Sequence, residues 1–141
     1  MTAASIEIEA SAADVHHAWR QVELWPLWDP EVLAVSLPDG LVAGAKGWLQ
    51  PRGGPRALIT VTRSGADSFD VESRLPLCRM VFGHCLEATA GGTRVTHDVK
   101  FFGLSAPLFR QIIGRQIAAA LPATLAGLKR HVETGETILV A

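Results

Sequence analysis

The feature that most constrains the fold is a change of hydrophobic period near Ser105. Over residues 32–102, apolar and polar side chains alternate in short runs separated by turns that contain Gly or Pro, which is typical of β-strands. Over residues 105–132, apolar side chains instead recur every three or four positions. That spacing predicts one long amphipathic helix, with Pro107 tolerated in its first turn and a kink at Pro122.

The strand pattern predicts a seven-stranded sheet. Ser11, three residues before Asp14, predicts a capped helix over residues 12–22, and the two prolines in residues 25–30 limit a second helix to one turn. The later connections are too short for the crossovers that parallel strands need, so the sheet should be antiparallel. We therefore predict an α+β fold with two short helices after the first strand and a curved sheet wrapped around the long C-terminal helix. The predicted strands are residues 4–9, 32–37, 45–50, 56–63, 68–75, 79–89 and 93–102.

Composition narrows the function classes. The chain has 141 residues, which fits one domain, and its 48% hydrophobic and 19% charged residues argue against disorder. A net charge of -1 lacks the basic excess of a nucleic-acid-binding protein, so we expect no nucleic-acid partner. The N-terminus has no basic or apolar region of a secretory signal, and no apolar stretch reaches the roughly 20 residues of a membrane span. We expect a cytoplasmic protein without an integral membrane segment.

Four segments of the chain carry a resemblance to a known family. Residues 6–15 look like an opening strand and capped helix, and residues 25–30 look like a short helix with a Trp before the second strand. Residues 91–96 look like the final hairpin, and residues 125–133 look like the end of the long helix. Together they resemble the helix-grip, START-like (SRPBCC) superfamily, which includes the polyketide cyclase/dehydrase group and plant pathogenesis-related allergens. Residues 50–55 do not match the Gly-rich loop of the plant proteins, so the traits of that loop are not expected.

The resemblance has consequences for fold and function. It implies the helix-grip fold, with residues 1–141 as a single ligand-binding domain. It also implies a hydrophobic small-molecule ligand, such as a lipid, a polyketide or another aromatic compound, in a cavity between the sheet and the long helix. We expect no cofactor, and the sequence contains no HExxH, CxxC, GxGxxG, GxSxG or phosphate-loop motif.

The hairpin around Gly91 and Gly92 predicts the pairing of its two strands. If Ala88 faces Thr93, then His84 faces His97, and both imidazoles point to the interior with their Cβ atoms about 5 Å apart. The other inward residues are apolar: Met80, Phe82, Leu86, Val95, Val99 and Phe101. The outward residues are mostly polar: Arg79, Glu87, Arg94, Thr96, Asp98 and Lys100.

Two histidines on an apolar wall need partners, because buried polar groups are normally hydrogen-bonded. His84 and His97 are therefore candidates for polar handles that orient a ligand, or for a general acid and base. The structural alternative is that they bond to each other or to water and only pack. We predict no metal site, since only two ligands share this face and zinc needs at least three from the protein. Asp98 points to the other face, so no third residue is placed to orient either imidazole.

The predicted ligand contacts come from the sheet, the Trp-containing turn and the long helix. Residues 117–126 are rich in alanine, and small side chains facing a curved sheet leave room either for close packing or for a ligand. The two cysteines, Cys78 and Cys85, differ in strand parity and should be free thiols. The predicted ligand-binding residues are Trp28, Ile59, Val71, Phe82, His84, His97, Val99, Phe101, Phe109, Ile113, Ile117 and Ala120.

Three functions stay open. The leading hypothesis is binding of a hydrophobic small molecule. The second is an enzyme of the cyclase/dehydrase type, in which His84 or His97 moves protons during ring closure and loss of water. The third is a protein-interaction module that uses an outward-facing Trp48, and a homodimer is left open as well.

Overall fold

The strands and helices follow the predicted order in the computed structural model of the chain, which describes residues 2–135. Both ends of the predicted domain, residues 1 and 141, lie outside that range. The strands are β1 Thr2–Ile8, β2 Val32–Ser36, β3 Lys46–Pro51, β4 Ala57–Ser64, β5 Ser68–Leu75, β6 Cys78–Thr89 and β7 Gly92–Phe102. The helices are α1 Ala12–Arg20, α2 Trp25–Trp28, α3 Ala106–Ile112 and α4 Gly114–Thr134, with a 3-10 turn at Val22–Leu24.

The seven strands form one antiparallel sheet in the order β1-β7-β6-β5-β4-β3-β2. This confirms the predicted α+β helix-grip fold. Turns and loops connect consecutive strands from β2 through β7, each strand lying beside the next one in sequence. The first strand, β1, pairs with β7 at the edge of the sheet. The predicted helix cap is also confirmed, because the Ser11 hydroxyl accepts a hydrogen bond from the backbone N–H of Asp14 at 3.1 Å.

The C-terminal helical region differs from the prediction in one respect. The long helix is present as α4, but it begins at Gly114, and the shorter α3 precedes it. The interruption falls at Ile113, where Gly114 follows and lies against the ring of Phe101. Glycine is a poor helix former, which favours a break at this point. Pro122, where a kink was predicted, lies inside α4.

The C-terminal half of α4 is fixed to β1 and α2. Lys129 Nζ donates to the carbonyl of Glu7 at 3.0 Å, and a carboxylate oxygen of Glu133 accepts from the backbone N–H of Glu9 at 2.6 Å. Gly127 lies so close to α2 that an added Cβ would be 1.9 Å from the carbonyl oxygen of Trp28. The N-terminal half of α4 and α3 are thereby left to cover the other end of the sheet.

Two apolar clusters fill the concave side of the sheet. The first cluster contains most of the buried core, including Trp19 of α1, Trp28 of α2, and Leu125 and Leu128 of α4. The second cluster is smaller and lies at the α3 end. Its buried members are Cys78, Met80, Val99, Phe101 and Ala106.

Candidate functional site

The candidate site is built on the hairpin of β6 and β7. The strands pair as predicted, with Ala88 opposite Thr93 and His84 opposite His97. His97 is 4% exposed, which places its imidazole in the interior. The outward positions are exposed or partly exposed, so the predicted faces of both strands are confirmed: Arg79, Glu87, Arg94, Thr96, Asp98 and Lys100.

The histidine pair lies at the boundary between the two apolar clusters. On one side, the next inward pair is Leu86 and Val95, which belongs to the first cluster. On the other side, the next inward pair is Phe82 and Val99, which belongs to the second cluster. Neither cluster includes the histidines. The polar pair therefore lies between the two apolar clusters.

Aromatic rings surround this pair. The ring centroids of His84 and His97 are 4.5 Å apart in an edge-on arrangement. Trp19 of α1 contacts both, with centroid distances of 6.0 Å to His84 and 6.2 Å to His97. Phe69 of β5 stacks on His84 at 3.8 Å with an interplanar angle of 5°. Trp19 thus covers the histidines from the helix side, and Phe69 fixes the plane of one of them.

A backbone group orients His84. Its Nδ1–H donates a hydrogen bond to the carbonyl oxygen of Phe69 at 3.1 Å. Because that proton is on Nδ1, the neutral ring carries its lone pair on Nε2 and can accept a hydrogen bond there. The expectation that nothing orients either imidazole is therefore wrong for His84. It considered side chains alone, whereas the partner is a main-chain carbonyl.

His97 has a different environment. Its Nε2 is buried and has no hydrogen-bond partner among residues 2–135. The indole N–H of Trp19 is also buried and unpaired within the same range. Buried polar atoms without partners are rare in folded proteins. Trp19 and His97, whose rings contact each other, thus each keep a buried polar atom without a partner in this range.

Burial keeps both histidines neutral at pH 7. Desolvation lowers the pKa of His84 to about 4, although its hydrogen bonding to backbone carbonyls opposes the shift. Desolvation also lowers the pKa of His97 well below its usual value, and the neighbouring His84 adds to the effect. The pair consequently offers hydrogen-bonding atoms without a charge.

The second cluster retains accessible apolar surface. Its buried members are surrounded by partly exposed apolar side chains from β5, β6, α3 and α4. These side chains pack against the buried members of the second cluster and keep part of their surface exposed. We call this region the groove; its partly exposed residues are Leu75, Phe82, Phe109, Ile113 and Ile117.

The predicted ligand-binding residues divide between the two clusters. Trp28, Ile59 and Val71 belong to the first cluster and are packed in the core. The half-buried Ala120 on α4 belongs to neither cluster. The structure brings the remaining apolar ones together in or around the second cluster: Phe82, Val99, Phe101, Phe109, Ile113 and Ile117.

Several residues of this region were not predicted as site residues, among them Trp19, Phe69 and Leu75. Trp19 contacts both imidazoles. Phe69 and Leu75 share the inward parity of Val71 on β5, so the strand alternation would have placed them on the concave face. The position of Trp19 over the sheet has no comparable signal in the sequence.

Residues 2–135 present neither a metal site nor a membrane-spanning helix. In that range, no group of three or more His, Cys, Asp or Glu side chains is arranged to hold a metal ion. None of the helices described there is long and apolar enough to cross a membrane. Cys78 is buried and Cys85 is exposed, and both are free.

Comparison with known proteins identifies the family. Residues 2–133 match the family described as polyketide cyclase / dehydrase and lipid transport. The chain belongs to this family. The resemblance to the helix-grip superfamily is confirmed by this match. A search of curated proteins found no match.

Several solved structures share the fold. DynU16, from the dynemicin biosynthetic locus, is 18% identical with a TM-score of 0.75, covering 96% of this chain and 48% of DynU16. TTHA0849 from Thermus thermophilus is 15% identical with a TM-score of 0.74, covering 96% of this chain and 99% of TTHA0849. The di-domain ARO/CYC protein StfQ of the steffimycin biosynthetic pathway is 13% identical with a TM-score of 0.70, covering 93% of this chain and 49% of StfQ. The chain thus spans about half the length of DynU16 and StfQ.

Proposed function

We propose that the chain is a single ligand-binding domain that holds an uncharged hydrophobic small molecule in the groove. The observation that carries this proposal is the partial exposure of apolar side chains around the second cluster, such as Phe82 on the sheet and Phe109 and Ile117 on the helices. Apolar surface left in contact with water costs about 25 cal/mol per Å², so an apolar ligand that covers it gains binding free energy. The family description, which includes lipid transport, supports the same class of ligand.

The polar groups of the interior favour an uncharged ligand with a hydroxyl group. Burial keeps His84 and His97 neutral at pH 7. A carboxylate buried next to them gains no opposite charge, so an uncharged ligand is favoured there. His84 holds its proton toward Phe69 and leaves a lone pair on Nε2, which suits a donor such as a phenolic or enolic O–H.

A matched set of small aromatic compounds tests this proposal. We expect 2-naphthol to bind at least tenfold more tightly than 2-methylnaphthalene, which lacks the hydroxyl, and than 2-naphthoate, which is charged. The measurement is isothermal titration calorimetry at pH 7. Replacing His84 with Phe should remove the preference for 2-naphthol over 2-methylnaphthalene while leaving the binding of the latter unchanged.

Two tryptophan variants locate the binding site. Ala120→Trp should fill the space between α4 and the sheet and abolish binding, because Ala120 is half-buried on the inner side of the helix. Ala119→Trp is the matched control, since Ala119 is exposed and one residue away. Unchanged binding in folded Ala120→Trp would contradict a site between sheet and helix.

The second candidate is a cyclase or dehydrase that uses His84. Its support is the fixed orientation of this imidazole together with the family description and the ARO/CYC neighbour. A pKa of about 4 argues against an acid at neutral pH, because efficient general acids have a pKa near the working pH. Turnover of a polyketone substrate that disappears in His84→Gln, while its binding survives, would favour the enzyme over the binding protein.

A further inference from the structure

Exposed apolar side chains cluster at one end of the molecule, beside the groove. Leu108 and Ile112 lie one turn apart on the outer side of α3, and Leu104 precedes Leu108 by four residues. Leu77 comes from the turn between β5 and β6, and Phe102 from the end of β7. We call these residues the apolar patch: Leu77, Phe102, Leu104, Leu108 and Ile112, with exposed fractions between 43% and 86%.

The backbone at Leu77 is unusual for a leucine. Its φ is 55°, in the left-handed region, and it follows Pro76 in the turn. The position after proline in a turn with this geometry is normally Gly or Asn, because a side chain is strained there. Leu77 is 72% exposed, so the side chain gains little burial within this chain. The exposed side chain is therefore available for a contact outside the chain.

The apolar patch lies in the part of the chain that lacks acids. Residues 73–86 and 99–132 contain no Asp or Glu, although the whole chain has a net charge of -1. The guanidinium of Arg79 lies 4.9 Å from the ring centroid of Phe102, and Arg74 and Leu77 border the same open depression. Arg79 is ion-paired with Glu72 of β5 at 3.1 Å, so the exposed arginines that give this end its positive charge are Arg74 of β5, Arg110 of α3 and Arg115 of α4.

We propose that this end of the molecule docks onto a lipid bilayer that contains anionic lipids. The apolar patch enters the boundary between headgroups and acyl chains, and the flanking arginines meet the lipid phosphates. Docking itself does not depend on the proposed function. If that function holds, the groove residues Phe109 and Ile113, which lie in α3 and directly after it, open toward the bilayer. The ligand then passes between the bilayer and the groove without crossing water.

The charge of the patch disfavours a second copy of the chain as its occupant. In a twofold dimer the same surface meets itself, so the arginines of both copies would be brought together. Like charges that face each other across an interface are unfavourable. An anionic bilayer instead complements both the arginines and the leucines.

Vesicle sedimentation with the full chain tests the proposal. We expect at least tenfold tighter binding to vesicles of phosphatidylcholine with 30% phosphatidylglycerol than to phosphatidylcholine alone. Binding should fall at least tenfold in Leu104→Gln/Leu108→Gln and in Arg110→Gln/Arg115→Gln. It should be unchanged in two controls, Leu58→Gln and Arg94→Gln, because both residues are exposed on the outer face of the sheet. Circular dichroism melts establish that each variant is folded.

Two results would overturn the proposal. The first is equal binding to neutral and anionic vesicles, or none to either, by the folded wild-type chain. The second is a dimer in analytical ultracentrifugation that dissociates in Leu104→Gln/Leu108→Gln, which would assign the patch to a second copy. If Ala120→Trp loses naphthol binding but still binds vesicles, ligand binding in the groove and docking by the apolar patch are independent, as proposed.

Discussion

The imidazole of His84 lies parallel to the ring of Phe69, with centroids 3.8 Å apart, and donates its Nδ1 proton to the carbonyl of the same residue. One residue of β5 therefore fixes both the plane and the tautomer of a histidine on β6. Stacking and hydrogen bonding leave Nε2 as the acceptor. This arrangement makes the pair of histidines a source of directional, uncharged polar contacts in an apolar interior.

The first prediction concerns the pH dependence of stability. Burial lowers the pKa of His84 to about 4 in the folded state, so between pH 6.5 and 4 the unfolded chain binds a proton that the folded chain does not. The contribution of the neutral His84 to the free energy of unfolding is fully present above pH 6.5. It should fall by up to about 3 kcal/mol as the pH approaches 4, and His97 adds to the loss. Urea unfolding between pH 7.5 and 4.5 measures this slope.

Two variants serve as controls for that measurement. His84→Phe/His97→Leu should flatten the slope, whereas replacement of the exposed His17 with Gln should leave it unchanged. Burial raises the pKa of Asp29, which acts in the opposite direction but equally in all these proteins. An unchanged slope in the double variant would show that the histidines are not the groups responsible.

The second prediction separates the two histidines by their hydrogen bonds. His97→Leu should leave stability at pH 7 unchanged or raise it, because it replaces a buried Nε2 that has no partner in the described chain. His84→Leu should lower stability by about 1 kcal/mol, because it removes the donor to Phe69. The free energy of unfolding in urea distinguishes the two, and the reverse order of stabilities would contradict the assigned environments.

The third prediction concerns the contact between α2 and α4. Thr124 Oγ1 donates to a carboxylate oxygen of Asp29 at 2.9 Å. Thr124→Val removes this donor and should raise the pKa of Asp29 further and cost about 1.5–3 kcal/mol at pH 7, where the carboxylate is charged. Thr62→Val is the control, since Thr62 is exposed and its bond to Asp70 is 3.5 Å long. A loss that is equal for both variants would exclude a special role of the buried contact.

The fourth prediction concerns the close approach at Gly127. Gly127→Ala would place a Cβ 1.9 Å from the carbonyl oxygen of Trp28, so α2 and α4 must move apart. We expect a loss of about 1–3 kcal/mol, measured by thermal and urea unfolding. Gly91→Ala is the matched control, because nothing lies within 4 Å of an added Cβ there. A neutral Gly127→Ala would mean that the two helices do not pack as closely as described.

The sequence by itself determined the sheet and the position of the histidine pair within it. Strand alternation has a period of two, and the turn at Gly91 and Gly92 fixes the register, so His84 had to face His97 once both strands were recognised. The same alternation separated the inward apolar side chains from the outward charged ones. These features depend on residues that are close in sequence.

Only the tertiary structure decided what surrounds the pair. Trp19 lies on α1, far from β6 and β7 in sequence, and its contact with both imidazoles follows from how α1 packs onto the sheet. The same packing placed Trp28, Ile59 and Val71 in the first cluster and left the second cluster partly open. Side-chain periodicity reports which face is buried, whereas the partner across the core, and whether it is a side chain or a backbone carbonyl, depends on long-range packing.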